Sequence, residues 1–563
     1  MDVALFFKIA SQVVGGLGVF LLGMKHMSEG LQAVAGDRLR KIIGAVTNNR
    51  IMAVIVGIMV TCLVQSSSVT TVMVVGFVNS GIMTLMQAIG VIFGANIGTT
   101  ITGWILVLKI GKYGLPMLGI AAFFFLFSKK DLLRYIGMTI MGIGMVFFGL
   151  ELMKNGFKPL RGLDEFNAWF HAFQATSYLG IIKCAAVGMV LTMIVQSSSA
   201  TLGITIGLAS TGVIEFQTAA ALVMGENIGT TITAWLASLG TTTTAKRAAY
   251  AHVLFNVIGT AWFIALFPFA IKALSGLIAA RTGYNPLEIG IDDMEETKFA
   301  MIITAGIALT HTTFNVTNVV VFLPFAGLLG KLVSRLVPEK DTREISHLTY
   351  LDVRMLDTPS LGIVQSQGQL NFMAESVDSM IEQLGTLLKS GKSNEKLEQK
   401  IFHREEILDN VQKEVFLFLS HMVSGQIPLD ITTKAHMQMR IADEYESLSD
   451  YVANVLKGLK KVEYKIEDTA LEPLLGLHNR VADYIGKVNE HMKTENPDLL
   501  TWAVTEGTAI GELMKEIRRV HIAQLQNEEG SPYFSLAYTD MLNFYRRMKD
   551  HALNIAEVLA GEN

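Results

Sequence analysis

Apolar and polar positions follow two different patterns along this chain. From residue 1 to 336 they come in blocks, with apolar stretches of helix length joined by short polar loops. Beyond Val337 the sequence turns charged, apolar residues recur at helical spacing, and no stretch is long enough to span a bilayer. The pattern predicts an all-α protein: a polytopic membrane domain over 1–336, a linker over 337–362 containing VPEKDTREIS, and a soluble helical bundle over 363–563. Polar, Gly and Pro clusters divide the bundle into six amphipathic helices. The breaks fall at SGKSN (390–394), SGQIPLD (424–430), the region around Pro473, ENPD (495–498) and NEEGSP (527–532).

One stretch interrupts the apolar blocks. VQSSSVTT (64–71) lies between IMAVIVGIMVTCL and VMVVGFV. The apolar run before Gln65 is about 14 residues, short of the roughly 20 that a spanning helix needs. Short apolar segments meeting at a polar break predict re-entrant hairpins or discontinuous helices, which are tolerated at membrane depth only where they are buried in protein or line a wet cavity. At such a break the free N–H groups and positive end of a half-helix make an anion site. Ser and Thr hydroxyls and Gln or Asn carbonyls add donors and acceptors that also suit a small hard cation.

The interruption occurs twice. Residues 61–104 align without gaps on 192–235, and 19 of the 44 positions are identical. Each copy carries QSSS and ends in GANIGTTITGW or GENIGTTITAW. Upstream, GLGVFLLGMKHMSEGL (16–31) echoes GIGMVFFGLELMKNGF (142–157). The membrane part therefore reads as two repeats, about 1–128 and 129–336, a plan that places a binding site where the halves meet. The segment 25–50 carries Lys25, Arg38, Arg40, Lys41 and Arg50. Its counterpart 151–178 carries Lys154, Lys158 and Arg161 in more acidic company. By the positive-inside rule the first is the better cytoplasmic loop, which favours an inverted relation.

Composition narrows the classes. Apolar residues make up 51% and charged residues 17%, and mean hydropathy is +0.41, values of an integral membrane protein. The net charge of −4 comes with no basic block, so nucleic acid is not an expected partner. Cys62 and Cys184 offer neither a disulfide framework nor zinc spacing. The start MDVALFF lacks a basic region, so the first apolar segment is expected to stay as a helix rather than be cleaved. Residues 51–108 hold no Asp, Glu, Lys, Arg or His, and 184–245 hold only Glu215 and Glu226. An oxyanion bound there needs charge compensation from co-bound cations. No elbow of the G-x-S-x-G kind accompanies the serines, so a nucleophilic enzyme is not expected. The Gly-rich motifs lack the Lys of a phosphate-binding P-loop.

QSSS twice, each followed by G-x-N-I-G-T-T, resembles the type II sodium/phosphate cotransporter family, including its bacterial members. The resemblance covers about residues 5–336 and implies sodium-coupled transport of inorganic phosphate across a bacterial cytoplasmic membrane. It further implies that Gln65, Ser66, Ser67 and Ser68, with Gln196, Ser197, Ser198 and Ser199, contribute to the substrate and sodium sites. Thr70, Thr201, Asn96, Thr99, Thr100, Asn227, Thr230 and Thr231 are weaker candidates by proximity in the repeat. Glu226, where the first half has Ala95, is expected to bind sodium, to titrate, or to be a paired helix-end carboxylate. AHVLFN (251–256) and THTTFN (310–315) place His252 with Asn256, and His311 with Asn315, on one helix face each. These faces either line the site or bond helix to helix.

The tail resembles the PhoU family of phosphate-regulatory proteins, which implies a cytoplasmic regulatory domain with metal-holding E-x-x-x-D motifs. Here Glu405 with Asp409 and Glu446 with Asp450 fit the spacing, and divalent or iron ions are the expected ligands. A second copy in the last helix has Arg546 in place of the acid and keeps Asp550. Expected partners are phosphate, sodium and lipid, with room for a homodimer and for phosphate-signalling proteins through the tail. Phosphate export by the same machinery, or a sensor without flux, are the alternatives that the sequence leaves standing.

Overall fold

The structure is a computed structural model that describes residues 3–35, 49–79, 83–108, 113–162, 173–239, 241–339, 359–424, 427–492, 498–527 and 532–561. Helices and the turns that join them make up those residues, with no strand among them. Most of the linker, and the loop carrying Arg38, Arg40 and Lys41, lie outside the described residues. The chain divides into two compact units, one formed chiefly by residues up to Asp341 and one by Gly362–Asn563.

The first unit has thirteen described α-helices: α1 (Val3–Ala35), α2 (Arg50–Val64), α3 (Ser67–Asn79), α4 (Leu85–Thr99), α5 (Ile101–Val107), α6 (Gly114–Phe127), α7 (Asp131–Phe157), α8 (Tyr178–Val195), α9 (Ser198–Ser210), α10 (Phe216–Ala237), α11 (Thr243–Thr282), α12 (Glu296–Phe322) and α13 (Ala326–Leu336). Among the described residues, six helices are long and apolar enough to cross a membrane, with α4 and α5 counted as one. The α2–α3 and α8–α9 pairs are the predicted helix–break–helix units. At 1.5 Å per residue, α3 and α9, of 13 residues each, reach about 20 Å, short of the ~30 Å hydrocarbon layer.

Glycine decides how these helices pack. Water drives no association between apolar helices in lipid, so close backbone approach through small residues takes over. In α1, Gly16 meets Gly149 and Met153, Gly23 meets Gly142 and Val146, and Gly30 meets Thr139. The partner number falls as the α1 number rises, so α1 and α7 run antiparallel. In the other packing mode Gly90, Gly94 and Gly98 of α4 climb α2 past Ala53, Val54 and Thr61, so α2 and α4 are parallel. The second half repeats the Gly94 and Gly98 contacts and that of Gly57 with Val91, while Ala221 stands in place of Gly90. Gly225 meets Ala185, Gly229 meets Met189 and Thr192, and Gly188 meets Leu222, each 131 positions beyond its counterpart.

Lys25 was expected at the start of a loop, but α1 continues through it to Ala35. Its apolar and small residues outweigh the charged Lys25–Glu29 segment. That segment finds an internal partner because Lys25 and Glu29 sit one turn apart, 3.8 Å between charged atoms.

The second unit has the six expected helices: α14 (Pro359–Ser390), α15 (Glu395–Val423), α16 (Leu429–Lys461), α17 (Asp468–His491), α18 (Leu499–Asn527) and α19 (Pro532–Ala560). One boundary differs from expectation. Pro473 lies inside α17, with little more than one turn before it, so few backbone bonds are lost there. The real break is at Glu463 and Tyr464, two non-glycine residues with φ of 52° and 60°. Tyr464 is anchored by its hydroxyl, which donates to Glu398 at 2.6 Å. Tyr445, Tyr484, Tyr538 and Tyr545 fill the bundle interior. Each hydroxyl has a partner, as burial of a phenol requires.

Candidate functional site

Each serine break is built the same way. α2 stops at Gln65 and α8 at Gln196, both in the left-handed conformation, with φ 55° and ψ 22° and 24°. Each amide N–H closes the last turn onto the threonine four residues back, Thr61 or Thr192, at 2.7 Å. The next residue caps the following helix. Ser66 Oγ accepts from Val69 N, and Ser197 Oγ from Ala200 N, both at 3.2 Å. Behind the cap, Thr70 and Thr201 are fully buried and donate to the carbonyls of Ser66 and Ser197, at 3.0 and 3.1 Å. Thr70 also accepts from Thr61, at 3.1 Å.

The first serine of each trio is therefore spent on structure. The hydroxyls of Ser67, Ser68 and Ser198 have no hydrogen-bond partner among the described residues. The first-turn N–H groups beside them are those a helix cannot satisfy internally.

The structure brings both breaks to one place. Gln65, Ser66, Ser67 and Ser68 line a cavity of about 260 Å³ together with Gln196, Ser197, Ser198 and Ser199. The volume suits a small hydrated ion. Thr102, in α5, stands between the breaks, with its hydroxyl 3.4 Å from Gln65 Oε1 and 3.5 Å from Ser199 Oγ. Gln65 is further held by its own amide, which donates to Cys62 O at 2.5 Å.

A third wall comes from α1, which sequence reasoning missed. Leu21, Met24, Lys25, Ser28 and Glu29 line the same cavity. Ser28 donates to the carbonyl of Val64 at 2.6 Å and ties α1 to the end of α2, while Gln32 donates to Ser28 at 2.8 Å. A signal was present: a Lys–Glu pair one turn apart inside an apolar helix marks a polar, inward face. The cavity thus holds a fixed cation, but Glu29 accompanies Lys25, and His26 lies 3.5 Å from the same carboxylate. The net fixed side-chain charge stays near zero.

The remaining candidates lie elsewhere. Asn96, Thr99 and Thr100 donate to carbonyls of their own helix, as do Asn227, Thr230 and Thr231. None of the six lines the cavity. The G-x-N-I-G-T-T glycines serve the α2–α4 and α8–α10 contacts, where a Cβ would meet Val54 or Ala185 backbone. Glu226 is buried, accepts from Thr205 at 2.9 Å through one oxygen, and leaves the other unpaired. Asn256 and Asn315 each donate to the carbonyl of the histidine one turn back, at 3.1 and 3.0 Å. Those histidines, His252 and His311, are buried away from the cavity, and neither pair forms a bond between helices.

In the tail, Glu405 and Asp450 come within hydrogen-bonding reach, and Glu446 lies near Asp450 and Asp409. Burial, then the Asp450 charge, pushes the Glu405 and Glu446 carboxyls above the usual range. Asp409 is taken by Lys413 at 2.7 Å. No group of three or more His, Cys, Asp or Glu is gathered closely enough to hold a metal ion among the described residues. On the last helix, Asp550 pairs with the adjacent Lys549, and His551 and Asn554 bind Glu444 instead.

The sequence profile of the Na+/Pi-cotransporter family matches twice, over residues 19–155 and 162–296. The uncharacterized protein YqeW of Bacillus subtilis is 30% identical over 321 residues, 57% of this chain and 96% of its own length. YjbB of Salmonella typhimurium, a protein named for inorganic phosphate export, is 25% identical over 445 residues, 78% of this chain and 76% of its own. The human sodium-dependent phosphate transport protein 2B is 37% identical over 98 residues, 17% of this chain and 14% of its own. No solved structure matches.

Proposed function

The chain belongs to the Na+/Pi-cotransporter family, and from that premise we propose that it is a sodium-coupled carrier of inorganic phosphate working by alternating access. The observation that carries this reading is the convergence of two serine-capped half-helix starts on one cavity. Each helix start contributes roughly half a positive charge. The two together offer about one charge against the one to two negative charges that phosphate carries near neutral pH. Lys25 adds little because Glu29 balances it. The deficit is what a co-bound sodium would fill, using the hydroxyl and amide oxygens of the two breaks. Binding of anion and cation is then mutually dependent, and that dependence is the coupling.

The antiparallel packing of α1 and α7, which occupy equivalent places in the two repeats, supports an inverted relation. With α2–α3 and α8–α9 as re-entrant hairpins, each enters from one face and meets the other near the midplane. Orientation follows from charge. Val54, Ile89, Phe255, Val319 and Leu329 cluster at one end of the unit. That end carries Arg50, Lys246, Arg247, Lys331 and Arg335, while at the opposite end Lys158 and Arg161 are paired with Glu296 and Asp292 and stand with Lys298 among further acids, Glu288 and Asp293. The basic end faces the cytoplasm by the positive-inside rule, in a bacterial cytoplasmic membrane. The α1 residues on the cavity wall lie in the half of α1 that runs toward this basic end. The PhoU-like tail follows from the same end and serves as a cytoplasmic regulator.

A second reading, net export, is favoured by YjbB, which aligns over far more of this chain than the sodium-dependent relatives do. Radiolabelled phosphate flux in proteoliposomes separates the readings. Uptake driven by an inward sodium gradient and absent with potassium supports symport. Flux indifferent to sodium removes the coupling and leaves the export reading.

A further inference from the structure

A second polar cavity, of about 600 Å³, lies at the other end of the α1–α7 pair. Its polar wall comes from the end of α7 (Glu151, Lys154) and Lys158 just beyond it, the last residue of α9 (Ser210) and the start of α12 (Glu296, Thr297, Thr304), and its apolar wall from Leu106 of α5, Leu115 of α6 and Ala300 of α12. Two of these positions repeat the wall of the serine cavity. In the alignment of 16–31 with 142–157, Lys25 corresponds to Glu151 and Ser28 to Lys154. The same face of the equivalent helix therefore lines a polar cavity at each end of an antiparallel pair. Met153 packs beside Gly16, so Lys154 stands about 20 Å along the pair from Lys25 and Ser28 at 1.5 Å per residue. That is a large part of the hydrocarbon thickness, so the two cavities address opposite faces.

The charges are arranged differently in this cavity. Lys158 is bound to Glu296 at 2.7 Å. Lys154 makes no hydrogen bond or ion pair among the described residues, although much of its side chain is covered. Glu151 is exposed to solvent. Ser210 and Thr304 donate to Gly207 and Ala300 carbonyls, so their protons are committed. Lys154 is left as the cavity's cation without a bonded partner, with Glu151 and Glu296 near enough to act on it through charge alone. A largely covered lysine with no bonded partner is a costly feature that calls for a ligand.

We propose that this cavity is the opposite-face vestibule of the phosphate path and that Lys154 is the charge that collects the oxyanion there, with Lys158–Glu296 pinning α7 to α12 at its rim. The proposal rests on the transport reading above, and its test is chosen to fail separately from it.

The test uses the full chain with Cys62→Ala and Cys184→Ala, carrying Ala300→Cys on the cavity wall, in proteoliposomes. Membrane-impermeant thiol reagents of equal size and opposite charge are applied from each face, and phosphate flux is measured in the same vesicles. Expected is labelling from the face opposite the tail, with the anionic reagent at least about threefold faster than the cationic one. Inorganic phosphate should slow it. Lys154→Gln should abolish the preference and Lys154→Arg should keep it, a rescue that a misfolded variant would not show. An unreactive thiol, no preference, or a preference that survives Lys154→Gln overturns the vestibule. Flux with no preference overturns this inference alone. A Lys154-dependent preference without flux keeps Lys154 as the charge that collects an oxyanion in this cavity and overturns the transport reading, and the vestibule's place on a phosphate path with it.

Discussion

Gln65 and Gln196, 131 positions apart, hold the same left-handed backbone conformation, and each closes its helix onto a threonine at 2.7 Å. A side chain other than glycine at φ 55° is strained. Two identical instances mean that the breaks are specified by the fold. Gln65→Gly is expected to keep the break and its stability within about 1 kcal/mol, because glycine adopts this φ freely. Gln65→Val is expected to lower the melting temperature in detergent, since a β-branched residue resists it. Equal melting of the two variants would show that the backbone relaxes.

Ser66 and Ser67 are neighbours with different duties. Ser66→Ala removes a helix cap and should cost about 1 kcal/mol in stability. Ser67→Ala removes a hydroxyl with no protein partner, so stability should hold while the apparent KM for phosphate rises about tenfold or more. The same contrast is expected at Ser197 and Ser198. Flux unchanged in Ser67→Ala/Ser198→Ala would remove these hydroxyls from the site.

Gly225 of α10 lies against the Ala185 backbone with no room for a methyl group. Gly225→Ala should therefore destabilise the membrane unit by about 1–3 kcal/mol, read as a drop in thermal stability in detergent. Asn227→Ala, which loses only a bond to its own helix, should cost less and leave the KM for phosphate unchanged. A large KM rise in Asn227→Ala would restore the G-x-N-I-G-T-T motif to the site.

The tail should loosen in acid in two steps. Burial works to raise the Glu398 carboxyl, but hydrogen bonds from Lys460, Ser393 and Tyr464 outweigh it and bring it down to about 2. Its contribution is present above the ordinary carboxylate value and is lost as pH falls from about 4.5 toward 2. Burial, with help from Lys389, pushes His478 down to about 4. Neutral His478 shares a hydrogen bond with Tyr545 at 2.9 Å. The folded tail resists its protonation, so stability falls as pH drops from about 6.5 to 4. Hydrogen exchange of the full-length protein should show tail peptides opening first in the upper window. Glu398→Gln should remove the lower step, and a pH-independent profile would refute both.

The facing carboxylates of α15 and α16 repel. Burial and the Asp450 charge raise the Glu405 and Glu446 carboxyls, so their ionisation at neutral pH works against the folded tail. Glu405→Gln is expected to stabilise the tail by about 0.5–1 kcal/mol at pH 7, and the gain should fade as pH falls toward the ordinary carboxylate value of about 4.5. A divalent cation that stabilises the native tail more than the Glu405→Gln tail would show that the four carboxylates close on a metal.

Much of this protein was legible in the sequence, because much of it is local. The stops at Gln65 and Gln196, the serine caps, the six tail helices and the two halves follow from apolar period, cap residues and exact repetition. Even the glycine packing could be read as spacing, with Gly16, Gly23 and Gly30 one heptad apart. Tertiary structure decided what these elements meet. In lipid every face of a spanning helix is largely apolar, so the spacing can mark a packing face but does not say which helix it meets. The convergence of the two breaks, the arrival of Lys25, Ser28 and Glu29 from α1, and the bridge at Thr102 depend on that choice. So does the fate of the G-x-N-I-G-T-T residues, whose polar groups turn back onto their own helices while their glycines admit a neighbour. The sequence determined where the chain must break, and the packing of antiparallel α1 and α7 decided where those breaks come together.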